Sequence, residues 1–158
     1  MRAQLSLALA LCALPAAAEP PRSACDWLRL AGAEAVLGPD LTYETRVDKA
    51  GDGMRLSVCA VLTAGGDSLT LLRRETPGET RPVADLRAGY IREQADLLGT
   101  DPGLVPVDLG AAALWDGTMK QLALWSEEGR VLMIFSGFGP EAQARETALA
   151  QAILGAGG

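Results

Sequence analysis

KQLALWSEEGRVLMIF, residues 120–135, has the clearest strand pattern in the chain. It contains two apolar runs, 120–125 and 130–135, on either side of the polar segment 127–129. A short polar segment with glycine between two such runs is typical of a hairpin. The second run is apolar at every position from 131 to 135, which is typical of a strand buried on both faces. The stretch therefore predicts an antiparallel hairpin whose second strand lies in the middle of a sheet.

Further strand patterns precede this hairpin along the chain. Residues 41–48 alternate between apolar and polar, and 54–63 are apolar on both faces in their second half. Turns rich in glycine and aspartate separate these runs, as is typical of consecutive antiparallel strands. The strands predicted upstream of the hairpin are 41–48, 54–63, 68–75, 104–109 and 112–115. We therefore predict a meander of three strands and, after a helix, a second meander of three or four.

Two of three predicted helices flank the first meander. The first begins at Ser23, which forms a capping-box pattern with Asp26, and it ends at Gly38-Pro39. Cys25 then faces the core from the first turn. The second runs from about Thr80 to Leu98, with Thr80 as its cap and the following glycine as its stop.

The third helix closes the chain and completes the fold class. It follows Gly139-Pro140, and its predicted inner side consists of Ala142, Leu149, Ala152 and Ile153. The order of elements is helix, three strands, helix, up to four strands, helix. Such segregated runs of strands and helices predict an α+β fold, a largely antiparallel sheet with three helices packed on it.

The first 18 residues have the pattern of a secretory signal peptide. Arg2 precedes the apolar run 5–14, and the alanines at 16–18 offer a small-x-small cleavage site. The run is too short to span a bilayer, which takes about 20 apolar residues. We expect cleavage near Ala18-Glu19, one domain over 19–158 and no stable membrane span. Cys12 follows a leucine rather than the small residue that lipid attachment needs, so we expect no lipid there.

The composition of the chain limits the compartments and the kinds of partner that we expect for it. The chain has 158 residues, a net charge of −6, no histidine, no asparagine and far more arginine than lysine. Such an acidic chain is poorly suited to nucleic acid, whose phosphates attract clustered Lys and Arg. A composition rich in alanine and arginine is typical of GC-rich bacteria. We therefore expect the periplasm or the medium as destination, and no nucleic acid among the partners.

Two cysteines remain after the leader, Cys25 on a predicted helix and Cys59 in a predicted strand. In an oxidising compartment an even pair is most simply a structural disulfide. The alternative is a redox or nucleophilic role. Close Cys-x-x-Cys spacing and a histidine base, which such roles favour, are both absent. We predict a Cys25–Cys59 disulfide.

The lack of histidine excludes Ser-His-Asp and Cys-His catalysis as well as the commonest zinc sites. Acid–base chemistry would have to use carboxylates alone, as in glycosidases, and no pair of carboxylates stands out in the sequence. Residues 48–53 begin like a calcium loop, but Ala50 and Cys59 occupy two ligand positions. A hairpin turn is the better interpretation. We expect no catalytic residue, no metal and no cofactor.

The three tryptophans are the largest apolar side chains of an aromatic-poor chain. Core packing is the ordinary role of such residues, and a tryptophan in a cleft marks a ligand or partner surface. Trp115 stands at a predicted strand end beside the Asp116-Gly117 turn. Trp115 and Asp116 are therefore the predicted ligand or partner surface.

The cysteine pair and its surroundings resemble a known group of exported domains. The features are Cys25 before a helix that ends at residues 36–38, Cys59 in a strand, the segment 109–115 and an alanine-rich closing helix. Together they resemble the cysteine-pair lipoprotein and sensor domains of the PsbP-like fold class. The resemblance implies a ligand-binding, sensing or accessory module rather than an enzyme. The lipobox of that group is missing here, so we expect no lipid anchor.

These patterns lead to one expected function and two alternatives. We expect a periplasmic or secreted, non-catalytic domain that binds a small ligand or a protein partner and is stabilised by one disulfide. The alternatives are a carboxylate-based periplasmic hydrolase and a subunit of a larger exported complex. Two facing carboxylates in a cleft would favour the hydrolase, and one exposed apolar patch would favour the subunit.

Overall fold

Seven antiparallel strands form one continuous sheet in the computed structural model, which describes residues 23–156. Their spatial order is β1-β2-β3-β7-β6-β5-β4. The strands are β1 (Thr42–Gly51), β2 (Met54–Leu62), β3 (Ser68–Glu75), β4 (Val105–Val107), β5 (Ala112–Asp116), β6 (Gln121–Ser126) and β7 (Val131–Ser136). The predicted α+β class with a largely antiparallel sheet is confirmed. The predicted signal peptide and its cleavage site lie outside the described residues.

Strand β7 lies in the middle of the sheet, as its wholly apolar sequence predicted. It pairs with β6 on one side, where Phe135 lies opposite Leu122, and with β3 on the other, where Phe135 lies opposite Leu71. The second contact joins the two meanders, so the sheet is larger than either predicted meander. The hairpin between β6 and β7 is closed by a short 3-10 turn, Glu127–Gly129.

The turn between β1 and β2 contains only Asp52 and Gly53, with φ of 51° and 73°. Two residues with positive φ form the hairpin turn whose twist matches that of the flanking strands. The hairpin interpretation of residues 48–53 is therefore confirmed, and most of that segment belongs to β1.

Four helices accompany the sheet in the described part of the chain: α1 (Ala24–Leu30), α2 (Ala33–Leu37), α3 (Val83–Leu98) and α4 (Ala142–Ala156). The predicted capping box is present, because Ser23 and Asp26 accept each other's backbone N–H with their side chains. The prediction of one continuous first helix is wrong. Gly32 has a left-handed φ of 67° and starts α2 as a separate helix, a conformation that glycine adopts at no steric cost.

Helix α3 begins later than predicted, at Val83 after Pro82, and no side chain caps it. The prediction of Thr80 as cap is wrong. The carboxylate of Glu79 accepts the backbone N–H groups of Thr80 and Arg81 instead, and holds the approach to the helix in a turn.

The two faces of the sheet are covered unequally. Helices α1, α2 and α4 pack together on one face, which we call the helical face, over a core centred on β2, β3, β6 and β7. Helix α3 is the one described helix on the other face, where it packs on β5 and on the 3-10 turn. The part of that face formed by β2, β3 and β7 is left partly open. Met54 there is 41% exposed.

Candidate functional site

The predicted cysteine pair is a disulfide in the structure. Cys25 in α1 and Cys59 in β2 are bonded and almost fully buried. Beside the bridge, the Ala24 N–H donates a hydrogen bond of 2.8 Å to the Ser57 hydroxyl. Both links tie the first turn of α1 to β2, so the bridge connects the helical layer to the sheet. Its role is structural.

Trp115 and Asp116, the predicted ligand surface, lie at the end of β5 and are 8% and 4% exposed. Trp115 packs into the core of the helical face. The Asp116 carboxylate accepts the backbone N–H groups of Thr118 and Met119, each at 2.8 Å, and so fixes the turn after β5. Both residues have a structural role in this arrangement, and their part in binding stays a prediction.

A candidate site with an apolar floor is a groove between α3 and the open part of the sheet, which we call the α3 groove. Its volume is about 440 Å³, within the range of about 300–1,000 Å³ that is usual for small-molecule sites. The strands contribute most of its apolar lining: Leu56, Leu72, Trp125, Leu132 and Ile134. Since alternate residues of a strand face the same side, Met54 and Leu56 of β2 contribute to this lining together with Leu132 and Ile134 of β7.

Two aromatic residues fix the base of the α3 groove. Trp125 is almost fully buried, and the Tyr90 ring meets it edge-on at 5.5 Å between centroids. Burial raises the pKa of Tyr90, and the charges of Asp116 and Glu93 add to the effect. The phenol therefore stays neutral at physiological pH, and the base offers an apolar, rigid surface. Edge-to-face pairs of this kind are worth about 0.5–1.5 kcal/mol.

Charged residues also line the α3 groove, and one of them, Arg74, lies in its floor between Leu56 and Leu132 of the neighbouring strands. Arg81 pairs with Glu79 at 2.6 Å, and that pairing lowers the pKa of Glu79 to about 2. Arg74 and Glu93 also line the groove, and neither has an ion pair within residues 23–156. A ligand with an apolar body can therefore place a polar end against Arg74 or against Glu93.

A buried carboxyl group lies on the opposite, helical face. Glu146 of α4 is 0% exposed, and neither of its oxygens accepts a hydrogen bond of ordinary geometry. A Cβ atom on Gly137 would lie 2.8 Å from its Oε1, so the glycine leaves room for the carboxyl group. Burial raises the pKa of Glu146 to about 8, although the backbone N–H groups of Leu122 and Gly137 offset part of that effect. Glu146 is therefore largely protonated at neutral pH.

The space beside Glu146 is too small for a substrate. The cavity there measures about 10 Å³, which is room for roughly one water molecule. Asp67 and Arg145 also line it. The carboxyl groups of Asp67 and Glu146 therefore line one cavity, but that cavity has no room for a sugar substrate. The site offers no geometry for a glycosidase-like reaction.

No family model, curated protein or solved structure matches this chain. The resemblance to the PsbP-like fold class therefore stays a prediction. None of the helices within residues 23–156 is long and apolar enough to cross a bilayer. Over the same residues, Cys, Asp and Glu side chains form no group that could hold a metal ion.

Sequence reasoning missed both the α3 groove and Glu146. The uniform apolarity of β7 predicts a strand covered on both faces, and a strand left half open on one face has the same sequence pattern. The burial of Glu146 could have been predicted from the sequence, because Glu146 lies at helical spacing from Ala142, Leu149 and Ile153, which are all buried. The predicted inner side is otherwise confirmed, apart from Ala152, which is half-buried.

Proposed function

We propose that this protein is an exported, non-catalytic binding domain whose small ligand lies in the α3 groove. The observation that carries the proposal is the uncovered apolar part of the sheet. Leu56, Leu72 and Ile134 are only half-buried there, although α1 and α4 cover the opposite face of the same strands. Covering apolar surface is worth about 25 cal/mol per Å², so this part of the sheet favours an apolar occupant.

The shape and charge of the α3 groove favour a small ligand with an elongated apolar body. The lining runs from Met54 at the turn of β2, across β3 and β7, to Trp125 beneath α3. Arg74 of β3 stands between Leu56 and Leu132 in the floor, so an acidic end of the ligand can pair with Arg74 while its apolar part covers the leucines. This arrangement is typical of pockets for small molecules, where a few polar groups orient an apolar ligand.

The hydrolase alternative gains no support from the α3 groove. Among the described residues that line it, Glu93 is the one carboxylate. Glycosidases need two acidic side chains, about 5–9.5 Å apart. The subunit alternative would use the same apolar surface for a second protein, and the oligomeric state of the purified protein separates it from ligand binding.

Export is part of the proposal, and the disulfide supports it, because such bridges persist in oxidising compartments. We expect that the full chain, produced in a bacterium, is released by osmotic shock and that its N-terminus is Glu19. Mass spectrometry of the released protein measures this, with the chain lacking residues 1–18 as control. Retention of both forms inside spheroplasts would contradict export.

Filling the α3 groove tests the binding proposal without weakening the fold. A Cβ atom at Gly89 of α3 would have Arg92 Nη2 as its nearest neighbour at 3.9 Å, so there is space for a side chain. Replacing a helical glycine stabilises a helix by about 1 kcal/mol. We expect the Gly89→Leu variant to bind the neutral apolar probe N-phenyl-1-naphthylamine at least tenfold more weakly, measured by probe fluorescence.

The matched control is Asp96→Leu, which adds a leucine to the same helix outside the groove lining. This variant should bind the probe as the unmodified protein does, and circular dichroism should show both variants folded. Equal binding by Gly89→Leu and Asp96→Leu would contradict the proposal. A stable dimer that Gly89→Leu converts to monomer would show instead that the groove is a protein interface.

A further inference from the structure

We propose that a second pocket, on the helical face, binds a small apolar α-amino acid as its zwitterion. The pocket has a volume of about 210 Å³, and we call it the Arg73 pocket. It lies where α1 and the end of α4 meet the 3-10 turn above β3 and β7. Besides Arg73, its walls include Trp27, Glu127, Met133, Ile153 and Leu154.

Two buried N–H donors of this pocket have no acceptor. The Arg73 side chain is 8% exposed and donates through Nη1 to Glu75, but its Nε–H is unpaired. The Trp27 Nε1–H is also buried and unpaired. The two groups are neighbours, since the guanidinium carbon lies 4.7 Å from the centroid of the Trp27 ring. Buried donors are almost always paired in folded proteins, so this pair indicates an acceptor that binds beside them.

A carboxylate is the acceptor that fits these donors best. Guanidinium and carboxylate groups match in geometry, and hydrogen bonds between charged partners are the strong ones. Burial lowers the pKa of Arg73, and the neighbouring Arg55 lowers it further, whereas Glu127 raises it. Arg55 carries another buried N–H without a partner, at Nε. An entering carboxylate would stabilise the charge of Arg73.

The charge at the mouth indicates that the ligand also carries a cation. Glu127 is exposed, lines the pocket and has no ion pair within the described residues. Glu75 already balances Arg73, so a simple anion would leave an excess of negative charge. A zwitterion avoids this excess, because its ammonium group can lie against Glu127 while its carboxylate meets Arg73.

The remaining walls determine which amino acids fit. Met133, Ile153 and Leu154 are apolar, and they favour an aliphatic side chain over a charged one. The pocket is less than half the volume of the α3 groove, and it lies on the other face of the sheet. Binding there is therefore independent of the function proposed above.

Three probes with the same branched chain separate the contributions of the two charges. L-Leucine carries both groups, 3-methylbutylamine lacks the carboxylate, and 4-methylpentanoate lacks the ammonium. By titration calorimetry we expect L-leucine to bind, 4-methylpentanoate to bind several-fold more weakly, and 3-methylbutylamine to show no binding. Absence of L-leucine binding, or equal binding of leucine and the amine, would overturn the proposal.

Two conservative variants test the donors themselves. Arg73→Lys keeps the charge and removes the Nε–H, and Trp27→Phe keeps an aromatic ring and removes the Nε1–H. Each should weaken L-leucine binding at least tenfold, whereas Trp115→Phe, which changes a core tryptophan outside the pocket, should not. Gly89→Leu should also bind L-leucine normally. Unchanged affinity in both donor variants would show that the donors do not bind this ligand, even if leucine binds elsewhere.

Discussion

The double variant Cys25→Ala, Cys59→Ala is expected to lose about 3–4 kcal/mol of unfolding free energy. The bridge closes a segment with a sequence separation of 34, and the loss follows from the conformational freedom that this segment regains in the unfolded chain. Native proteins are stable by only about 5–15 kcal/mol. The bridge therefore accounts for a large part of the stability of this domain. Alanine is used because it leaves no polar group in a buried position.

Urea unfolding at pH 7 measures this loss, and thermal unfolding should show a midpoint lower by about 10 °C. The control is a reducing agent. It should destabilise the unmodified protein by a similar amount and leave the double variant unchanged. A loss below about 1 kcal/mol would mean that the packing of α1 on the sheet, rather than the bridge, holds that part of the fold together.

The Glu146→Gln variant should change how stability depends on pH. Burial raises the pKa of Glu146 from its ordinary value of 4.5 to about 8. Between these values the folded state keeps a proton that the unfolded state has lost, so the unfolding free energy falls as pH rises from about 4.5 to about 8. The full effect is on the order of 5 kcal/mol. Glutamine stays neutral, so the variant should lack this decline and be the more stable protein at pH 8.

Urea titrations between pH 4.5 and 8.5 measure this difference. Glu141→Gln is the matched control, because Glu141 is exposed, stands just before α4 and pairs with Arg145. The control should decline with pH in the same way as the unmodified protein. Parallel curves for Glu146→Gln and the unmodified protein would show that Glu146 is ionised in the fold at neutral pH.

Local patterns were sufficient to predict most of the fold. Apolar runs and glycine-containing turns located the strands, and the position of β7 followed from its uniform apolarity. The break at Gly32 was missed because the apolar periodicity continues through it from α1 into α2. A single glycine is tolerated within many helices, so only the backbone conformation identifies it as a boundary.

The candidate sites could not be predicted in the same way, because they depend on tertiary structure. The α3 groove combines β2, β3, β6 and β7 with one helix, and no local pattern shows which face of a sheet a helix will leave open. The Arg73 pocket depends on the contact between Arg73 of β3 and Trp27 of α1, which no local sequence pattern shows. Burial is equally hard to predict from local sequence. Trp115 and Asp116 stand at a strand end beside a turn, which can be exposed or buried, and in this structure both residues are buried.

The central position of β7 has a consequence for the order of folding. Strand β3 is complete early in the chain, but its second neighbour is the last strand to be made. Until then β3 has an unpaired edge, and an open edge invites pairing with other chains. Contacts between distant segments also form slowly. The sheet therefore cannot close until β7, the last strand of the sequence, has been made.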